Sequence, residues 1–223
     1  MRLMDHEVLT FCADDAHGAP IMMKADELGI KPTAFIDEIN KNHQESLAKF
    51  GIEYTNYYST HSKENEALVS EIYLDAKSSG YIYKKEIEQC FDEEKQMFLA
   101  DRYVVGECPK CSAKNQYGDG CEECGATYSA TELINPKSSL SGTTPITKIS
   151  EHIFFDLEKA KDDLVNFLDN SSIQKPILGK LSEWLDGDLK SWDISRDAPY
   201  FGFQIPDETE KYFYVWVDAP IGY

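Results

Sequence analysis

The amino-acid sequence predicts an α/β fold that carries an inserted, β-rich metal-binding module. Three observations support this fold class. Short apolar runs alternate with amphipathic helical patterns over residues 1–78, four cysteines follow in two closely spaced pairs, and an aromatic, β-branched run lies near the end. The 223 residues, 42% of them hydrophobic, are enough to bury the core of one large domain or two modest ones.

The first part of the chain alternates strand and helix patterns. Residues 7–13 form an apolar run that is too short for a helix and lacks polar alternation, which predicts a strand buried on both faces. Helices are predicted over 21–28 and 32–50, each ended by a glycine. A second strand over 54–58 precedes a third amphipathic helix over 62–79. This order predicts an α/β layer with parallel strand pairing.

Short β-prone runs replace the helices from Tyr81 onward, and they surround the cysteines. Cys108 and Cys111 form one Cys-x-x-Cys pair, Cys121 and Cys124 form the second, and nine residues lie between the pairs. This spacing lets four thiolates converge on one zinc ion, and a site filled by four sulfurs has no open position for water, so the metal is expected to be structural. Two disulfides, unrelated thiols and a four-thiolate iron site are the alternatives.

Helical patterns return after the module. Residues 152–157 are predicted to form a strand that leads into a helix, and apolar spacing over 162–168 and 177–185 predicts a small helical hairpin. The aromatic run 211–218 predicts a buried strand that rejoins the first sheet. Both ends of the chain are abrupt, so we expect it to be a fragment of a longer protein.

The charge of the chain limits its partners. Forty acidic against 22 basic residues give a formal charge of −18, which argues against broad, nonspecific binding of nucleic acid. No apolar run approaches the roughly 20 residues that cross a bilayer, and a signal peptide is not evident. Cys12 and Cys90, outside the two pairs, fit a reducing compartment. We therefore expect a cytoplasmic protein without a membrane partner.

Two adjacent carboxylates follow the first predicted strand. Ligands of open α/β sheets bind beyond the carboxyl ends of the strands, so Asp14 or Asp15 is placed to hold an ammonium group. The alternative is that one of them merely caps the following helix, and with two in a row one can cap while the other faces a ligand. His17 is expected to be a hydrogen-bonded structural residue rather than a catalytic base.

A second group of candidates lies near the end of the chain. Arg196 can stabilise phosphate charge or form an ion pair with Asp193 or Asp197, and the composition favours neither. Several aromatic and small residues suit an apolar side chain or a thioether, with core packing as the alternative. These are Trp216, Ala219, Pro220 and Tyr223.

Four motifs together resemble the methionyl-tRNA synthetases, a family of class I aminoacyl-tRNA synthetases. The motifs are residues 12–18, the four-cysteine knuckle at 108–124, residues 192–197 and residues 214–223, and they follow the family's order over essentially the whole chain. The resemblance implies a Rossmann-type parallel sheet, incomplete in this chain, with an inserted connective-peptide domain. The implied division is 1–78 for the first part of the catalytic domain, 79–210 for the insertion and 211–223 for the return to the sheet.

The resemblance also implies an activity. Members of the family join methionine and ATP, with Mg²⁺, into an enzyme-bound methionyl-adenylate and then transfer the methionyl group to tRNA(Met). The family's methionine pocket maps onto Asp15 for the ammonium group and onto the aromatic and small residues named above for the thioether. Arg196 lies in a Trp-x-Ile-Ser-Arg stretch similar to that of the leucine, isoleucine and valine enzymes, which implies a catalytic role in orienting the reacting groups.

The sequence departs from the family at two signatures. The ATP-binding motifs of the HIGH and KMSKS types do not occur in it, so we expect that this chain alone does not activate methionine, whereas a longer parent enzyme would. Contacts to tRNA are expected mostly outside the chain. The competing function is a non-catalytic zinc-ribbon binding module. The loop between the cysteine pairs, however, offers only Lys114 to bind a nucleic-acid backbone and Tyr117 to stack on bases.

Overall fold

The structure is a computed structural model that describes residues 5–187 and 189–222 of the chain. Tyr223, a predicted pocket residue, therefore lies outside the described residues. The described part contains a small parallel sheet with helices, two antiparallel sheets, an antiparallel strand pair, a helical hairpin and a short closing helix. This is the mixed α/β architecture that the sequence predicts, although its parallel sheet has only two strands.

The α/β layer forms the first part of the fold. Strands β1 (Phe11–Asp14) and β2 (Asn56–Ser59) pair in parallel. The crossover between them contains helices α1 (Ala19–Glu27) and α2 (Pro32–Lys49), both of which begin at a proline-containing first turn. Helix α3 (Lys63–Ser78) follows β2. The parallel pairing is confirmed, and the observed boundaries lie within a few residues of the predicted ones.

Helix α3 starts at a side-chain cap. The hydroxyl oxygen of Ser62 accepts a hydrogen bond of 3.2 Å from the backbone N–H of Asn65, which satisfies one of the free donors of the first turn. Val69 and Tyr73 then point into a core cluster. They pack there on Ile153, Ile194, Phe203, Ile205 and Phe213, which come from the later strands and loops. This cluster ties the α/β layer to the second half of the chain.

The prediction that the first strand is buried on both faces is wrong. The strand begins at Phe11 rather than at Glu7, and the side chains of Leu9 and Phe11 are 60% and 62% exposed. A sheet of two strands is too narrow to enclose its own apolar side chains. An apolar run therefore signals a strand here without guaranteeing its burial.

The main antiparallel sheet follows the α/β layer in the chain. Its centre is a long ladder between β3 (Ile82–Asp92) and β8 (Ile146–Phe155). Strands β4 (Met97–Phe98) and β9 (Trp192–Asp193) flank this ladder on either side. The cysteine module lies in the chain between the two strands of this ladder.

The cysteine module contains a three-stranded sheet. Strand β5 (Val104–Glu107) pairs with β6 (Gln116–Tyr117) on one side and with β7 (Ile134–Ser138) on the other. Its core reaches outside the module, because Ala19 of α1 packs in the same buried cluster. The other members of this cluster are Cys90, Leu99, Tyr103, Val104, Ala130 and Leu133. The module and helix α1 therefore share one core.

The predicted helical hairpin is confirmed. Helices α4 (Lys161–Asp169) and α5 (Lys175–Asp186) follow β8 and contact each other. Their exposed apolar side chains include Phe167 and Trp184. None of the helices in the described ranges is long and apolar enough to cross a membrane.

The prediction of a buried strand over 211–218 is wrong beyond Phe213. Strand β11 (Lys211–Phe213) pairs antiparallel with β10 (Ser195–Asp197), so in the described part of the chain it does not rejoin the first sheet. Residues Val215–Ile221 form helix α6, which packs on α3. Aromatic and β-branched residues favour strands because they pack well on a pleated sheet. Here the packing of residues 215–221 against α3 outweighs this strand preference.

Candidate functional site

The four cysteine side chains converge. The sulfurs of Cys108 and Cys124 lie 3.8 Å apart, those of Cys111 and Cys121 lie 3.6 Å apart, and all four lie within 4.8 Å of one another. A tetrahedral site with zinc–sulfur distances of about 2.3 Å places its sulfurs about 3.8 Å apart. A disulfide requires about 2.05 Å, and all four thiols are free. The cluster can hold a metal ion, and the disulfide alternative is not supported.

Backbone geometry orients the sulfurs. The N–H groups of Lys110 and Cys111 point at the sulfur of Cys108, at 3.3 and 3.5 Å, and the N–H of Cys124 points at Cys121 at 3.4 Å. In each pair the first cysteine is buried and the second is exposed. The two turns therefore repeat one arrangement, in which backbone N–H groups donate to the sulfur of the buried cysteine.

A cleft joins the two ends of the chain. It has a volume of about 320 Å³, and Asp15 and Trp216 both line it. Its other walls are Ala13, Thr60, Ala219 and Pro220. Asp15 follows the carboxyl end of β1, whereas Trp216 lies in the first turn of α6 and is 66% exposed. Four of the five predicted pocket residues thus meet in one place, and the fifth, Tyr223, is not among the described residues.

Asp15 faces the cleft with a free carboxylate. Among the described residues no side chain donates a hydrogen bond to it. Partial burial raises the pKa of the Asp15 carboxyl, the charge of Asp218 raises it further, and His17 partly offsets this rise. A carboxylate without a protein partner at the carboxyl end of a parallel strand can accept a ligand's ammonium group.

The neighbouring Asp14 has a different role. Its carboxylate oxygens accept hydrogen bonds from Asn40 at 2.6 Å and from Tyr57 at 2.6 Å, and His43 lies 2.8 Å away. Asn40 and His43 belong to α2, whereas Tyr57 belongs to β2. Neither aspartate caps α1, whose N-cap Gly18 has no side-chain hydrogen bond. Asp14 therefore ties helix α2 to the parallel sheet.

His17 is buried and fully bonded, as predicted. Its Nδ1 lies 2.6 Å from the Oδ2 of Asp218, and its Nε2 lies 2.9 Å from the Nδ1 of His61. The side chains of His17 and Asp218 are 0% exposed. Burial and the nearby His17 lower the pKa of His61. The partners of His17 come from β2's end and from α6, so sequence spacing gave no sign of them.

Arg196 lies beside Tyr214, two residues before Trp216 in the chain. Its guanidinium carbon is 3.9 Å from the centroid of the Tyr214 ring, and its Nη1 donates to the backbone oxygen of Ser195 at 2.6 Å. The Nη1 also lies 3.6 Å from the Oδ2 of Asp193. Arg196 lines a second cavity of about 220 Å³ that also touches Trp216. The ion pair with Asp193 that the sequence suggested is therefore present, whereas the phosphate-stabilising role of Arg196 stays a prediction.

The sequence did not reveal the surroundings of His152. Its side chain is 0% exposed, with Nδ1 at 2.7 Å from Asp193 and Nε2 at 3.0 Å from Asp197. Lys211 also pairs with Asp197. Burial opposes a charge on the imidazole, but the hydrogen bonds to the two carboxylates outweigh it and raise the pKa of His152. The one available signal was a histidine within an apolar strand pattern.

The chain matches one protein family along its whole length. The family described as tRNA synthetases class I (M) matches residues 1–223. The chain therefore belongs to this family of class I aminoacyl-tRNA synthetases, and the resemblance indicated by its four motifs is confirmed.

Solved structures with a similar fold include methionyl-tRNA synthetase from Mycobacterium tuberculosis. Its complex with methionyl-adenylate has a TM-score of 0.67 at 17% identity, covering 99% of this chain and 39% of that chain, and a second structure bound by methionyl-adenylate gives the same values. The free-state form has a TM-score of 0.52 at 16% identity and covers 84% of this chain and 34% of that chain. The chain thus spans about two fifths of the length of the structures it matches best among these.

Proposed function

We propose that this chain forms the amino-acid-binding part of the catalytic region of a methionine–tRNA ligase. In such an enzyme methionine and ATP, with Mg²⁺, form methionyl-adenylate, and the methionyl group then passes to tRNA(Met). The observation that carries the proposal is that Asp15 and Trp216, from distant parts of the chain, line one cleft. The division at residues 78 and 210, with the return to the catalytic domain after 210, is part of the same proposal.

The cleft offers complementary chemistry at its two walls. Asp15 supplies a carboxylate for the ammonium group, because charge-assisted hydrogen bonds of this kind are among the stronger ones. Trp216, Ala219 and Pro220 supply the apolar wall, and a thioether packs well on an aromatic ring. A volume of about 320 Å³ suits a small molecule rather than a macromolecule. Tyr223 is proposed as a further wall on the family resemblance alone.

Arg196 is proposed as the catalytic residue. Stacking on Tyr214 holds its guanidinium at the second cavity, which Trp216 also lines. A fixed guanidinium at this cavity would stabilise the phosphate charge of a bound nucleotide. Activation by this chain alone is not expected, because neither ATP-binding signature occurs in its sequence.

The cysteine cluster is proposed to hold structural zinc. Four sulfur ligands close the coordination sphere, so the ion would stabilise the module without contacting substrate. The alternative of a nucleic-acid-binding zinc ribbon has little support, because Arg102 already covers the ring of Tyr117 at 4.9 Å. Cys12 and Cys90, the free cysteines outside the cluster, fit the proposed cytoplasmic location, since reducing compartments keep thiols unpaired.

Calorimetric titration with L-methionine tests the proposal. We expect the 223-residue chain to bind methionine, and Asp15→Asn to lower the affinity about 10- to 100-fold, since a hydrogen bond to a charged group contributes about 1.5–3 kcal/mol. Asp207→Asn is the matched control, because this carboxylate is exposed and away from the cleft. Equal affinities of the wild type and Asp15→Asn would remove Asp15 from the site. Adding ATP and Mg²⁺ should release no pyrophosphate.

A further inference from the structure

A buried hydrogen bond connects the two walls of the cleft. His17 follows Asp15 by two residues, and Asp218 follows Trp216 by two residues. The bond between His17 and Asp218 is 2.6 Å long and bridges 201 positions of sequence. Asp15 and Trp216 are thus each followed, two residues later, by one member of the pair. The side chains of both members are 0% exposed.

The pair is fixed by its surroundings. The ring of His17 packs edge-on against Phe201 and Phe203, with centroid distances of 5.4 and 4.6 Å, and against His61 at 5.1 Å. The Oδ1 of Asp218 has no hydrogen-bond partner among the described residues, so His17 is the group that satisfies this carboxylate. A buried carboxylate with one partner depends strongly on that partner.

We propose that His17 and Asp218 are positioning residues that hold Asp15 opposite Trp216 and set how strongly the cleft binds an amino group. The proposal rests on the proposed function of the cleft. Two effects act together. The hydrogen bond fixes the backbone that carries Asp15, and the N–H of His17 screens the charge of Asp218 from the carboxylate of Asp15, which must stay ionised to bind an ammonium group.

Removal of the donor should therefore affect the amino group more than the rest of the ligand. Without the Nδ1–H of His17, the charge of Asp218 is unscreened and opposes the ionised form of Asp15. The nearest polar neighbours of the pair are His61, whose pKa is lowered, and the amide of Asn65, which donates to the backbone oxygen of Asp218 at 3.2 Å. Neither can replace the lost donor to the carboxylate.

Two amide substitutions distinguish the roles of the two ring nitrogens of His17. The side-chain N–H of asparagine occupies the place of Nδ1, and that of glutamine occupies the place of Nε2. His17→Asn therefore keeps the hydrogen bond to Asp218, whereas His17→Gln keeps the contact with His61 and loses Asp218. Asp218→Asn is a further variant that keeps the shape and removes the charge.

The test compares L-methionine with 4-(methylthio)butanoate, which lacks the amino group, by ligand-observed NMR on the 223-residue chain. We expect His17→Gln to weaken methionine binding at least tenfold and to change binding of the desamino analogue less than twofold, while His17→Asn stays within threefold of the wild type for both. Equal weakening of both ligands by His17→Gln would show a merely structural role and overturn the inference. Equal affinities of His17→Gln and the wild type would overturn it too.

A second arm keeps the test decisive if His17→Gln does not fold, as judged by circular dichroism. Asp218→Asn removes the charge that opposes Asp15, so we expect it to alter the ratio of the two affinities at least threefold, and an unchanged ratio would overturn the inference. Failure of the wild type to bind methionine would instead overturn the proposed function, so the two failures are distinguishable.

Discussion

The cysteine cluster and the amino-acid cleft are assembled over very different lengths of chain. Residues 108–124 supply all four sulfurs, whereas the cleft joins residues 13–15 and Thr60 to residues 216–220. Two short turns with inward N–H groups are enough to bring the sulfurs together. The cleft instead depends on every element that places α6 beside β1. A site built from one short segment tolerates substitutions elsewhere in the chain. A site built from distant segments is disturbed by them.

Loss of the cysteine ligands should give the largest effect and is the strongest test of locality. We expect the double variant Cys108→Ser, Cys111→Ser to lose stoichiometric zinc, since structural zinc contributes about 10–16 kcal/mol in zinc-finger peptides. Hydrogen exchange should then show unprotected amides over residues 104–138, with β1 and β2 still protected. Cys12→Ser is the control and should retain one zinc. Loss of protection in β1 and β2 as well would contradict the comparison.

Substitution of Asp14 distinguishes residues that stabilise the fold around the cleft from residues that bind the ligand. Its carboxylate is satisfied by side chains of α2 and β2, so Asp14→Asn should lower the free energy of unfolding by about 2–3 kcal/mol, because charged hydrogen bonds are lost together. The methionine affinity of the folded variant should change less than threefold. Urea denaturation and calorimetry provide the two measurements. A large loss of affinity with unchanged stability would assign Asp14 rather than Asp15 to the ligand.

His152 tests whether its contacts with Asp193 and Asp197 are electrostatic. Its pKa is raised in the folded state, so it binds a proton that the unfolded chain has largely released above its ordinary pKa of about 6.5. Its stabilisation is fully present below that value and is lost as the pH rises through the higher folded pKa. We expect His152→Gln to be less stable than the wild type by about 1–2 kcal/mol at pH 6, with a gap that narrows as pH rises. A gap independent of pH in urea denaturation would contradict a charged His152.

Trp216 should give the smallest effect and sharpens the picture of the apolar wall. Trp216→Ala should weaken methionine binding about tenfold, equivalent to about 1.4 kcal/mol, with little change in stability because the indole is 66% exposed. Trp184→Ala is the matched control, since that indole is 52% exposed and lies on α5. Calorimetry measures both. Similar affinities of the two variants would remove Trp216 from the cleft.

Sequence patterns predicted the positions of helices more reliably than the burial of their residues or the contacts that surround a segment. The helices α2, α3, α4 and α5 carry apolar residues at helical spacing, and each forms close to its predicted boundaries. The run 211–218 was misassigned because aromatic and β-branched residues suit a strand in isolation, whereas contact with α3 favours a helix from Val215. The exposure of Phe11 was likewise decided by the small number of neighbouring strands.

The sequence alone determined the four-cysteine cluster, because Cys-x-x-Cys turns fix their own geometry, and it nominated Asp15 and Trp216 as partners through family motifs. Only the tertiary structure decided which of two adjacent aspartates is free, since Asp14 is occupied by residues of α2 and β2. It also decided that His17 meets Asp218 and that His152 lies between two carboxylates. Contacts between distant residues depend on the packing of all the elements between them, and spacing along the chain carries no record of that packing.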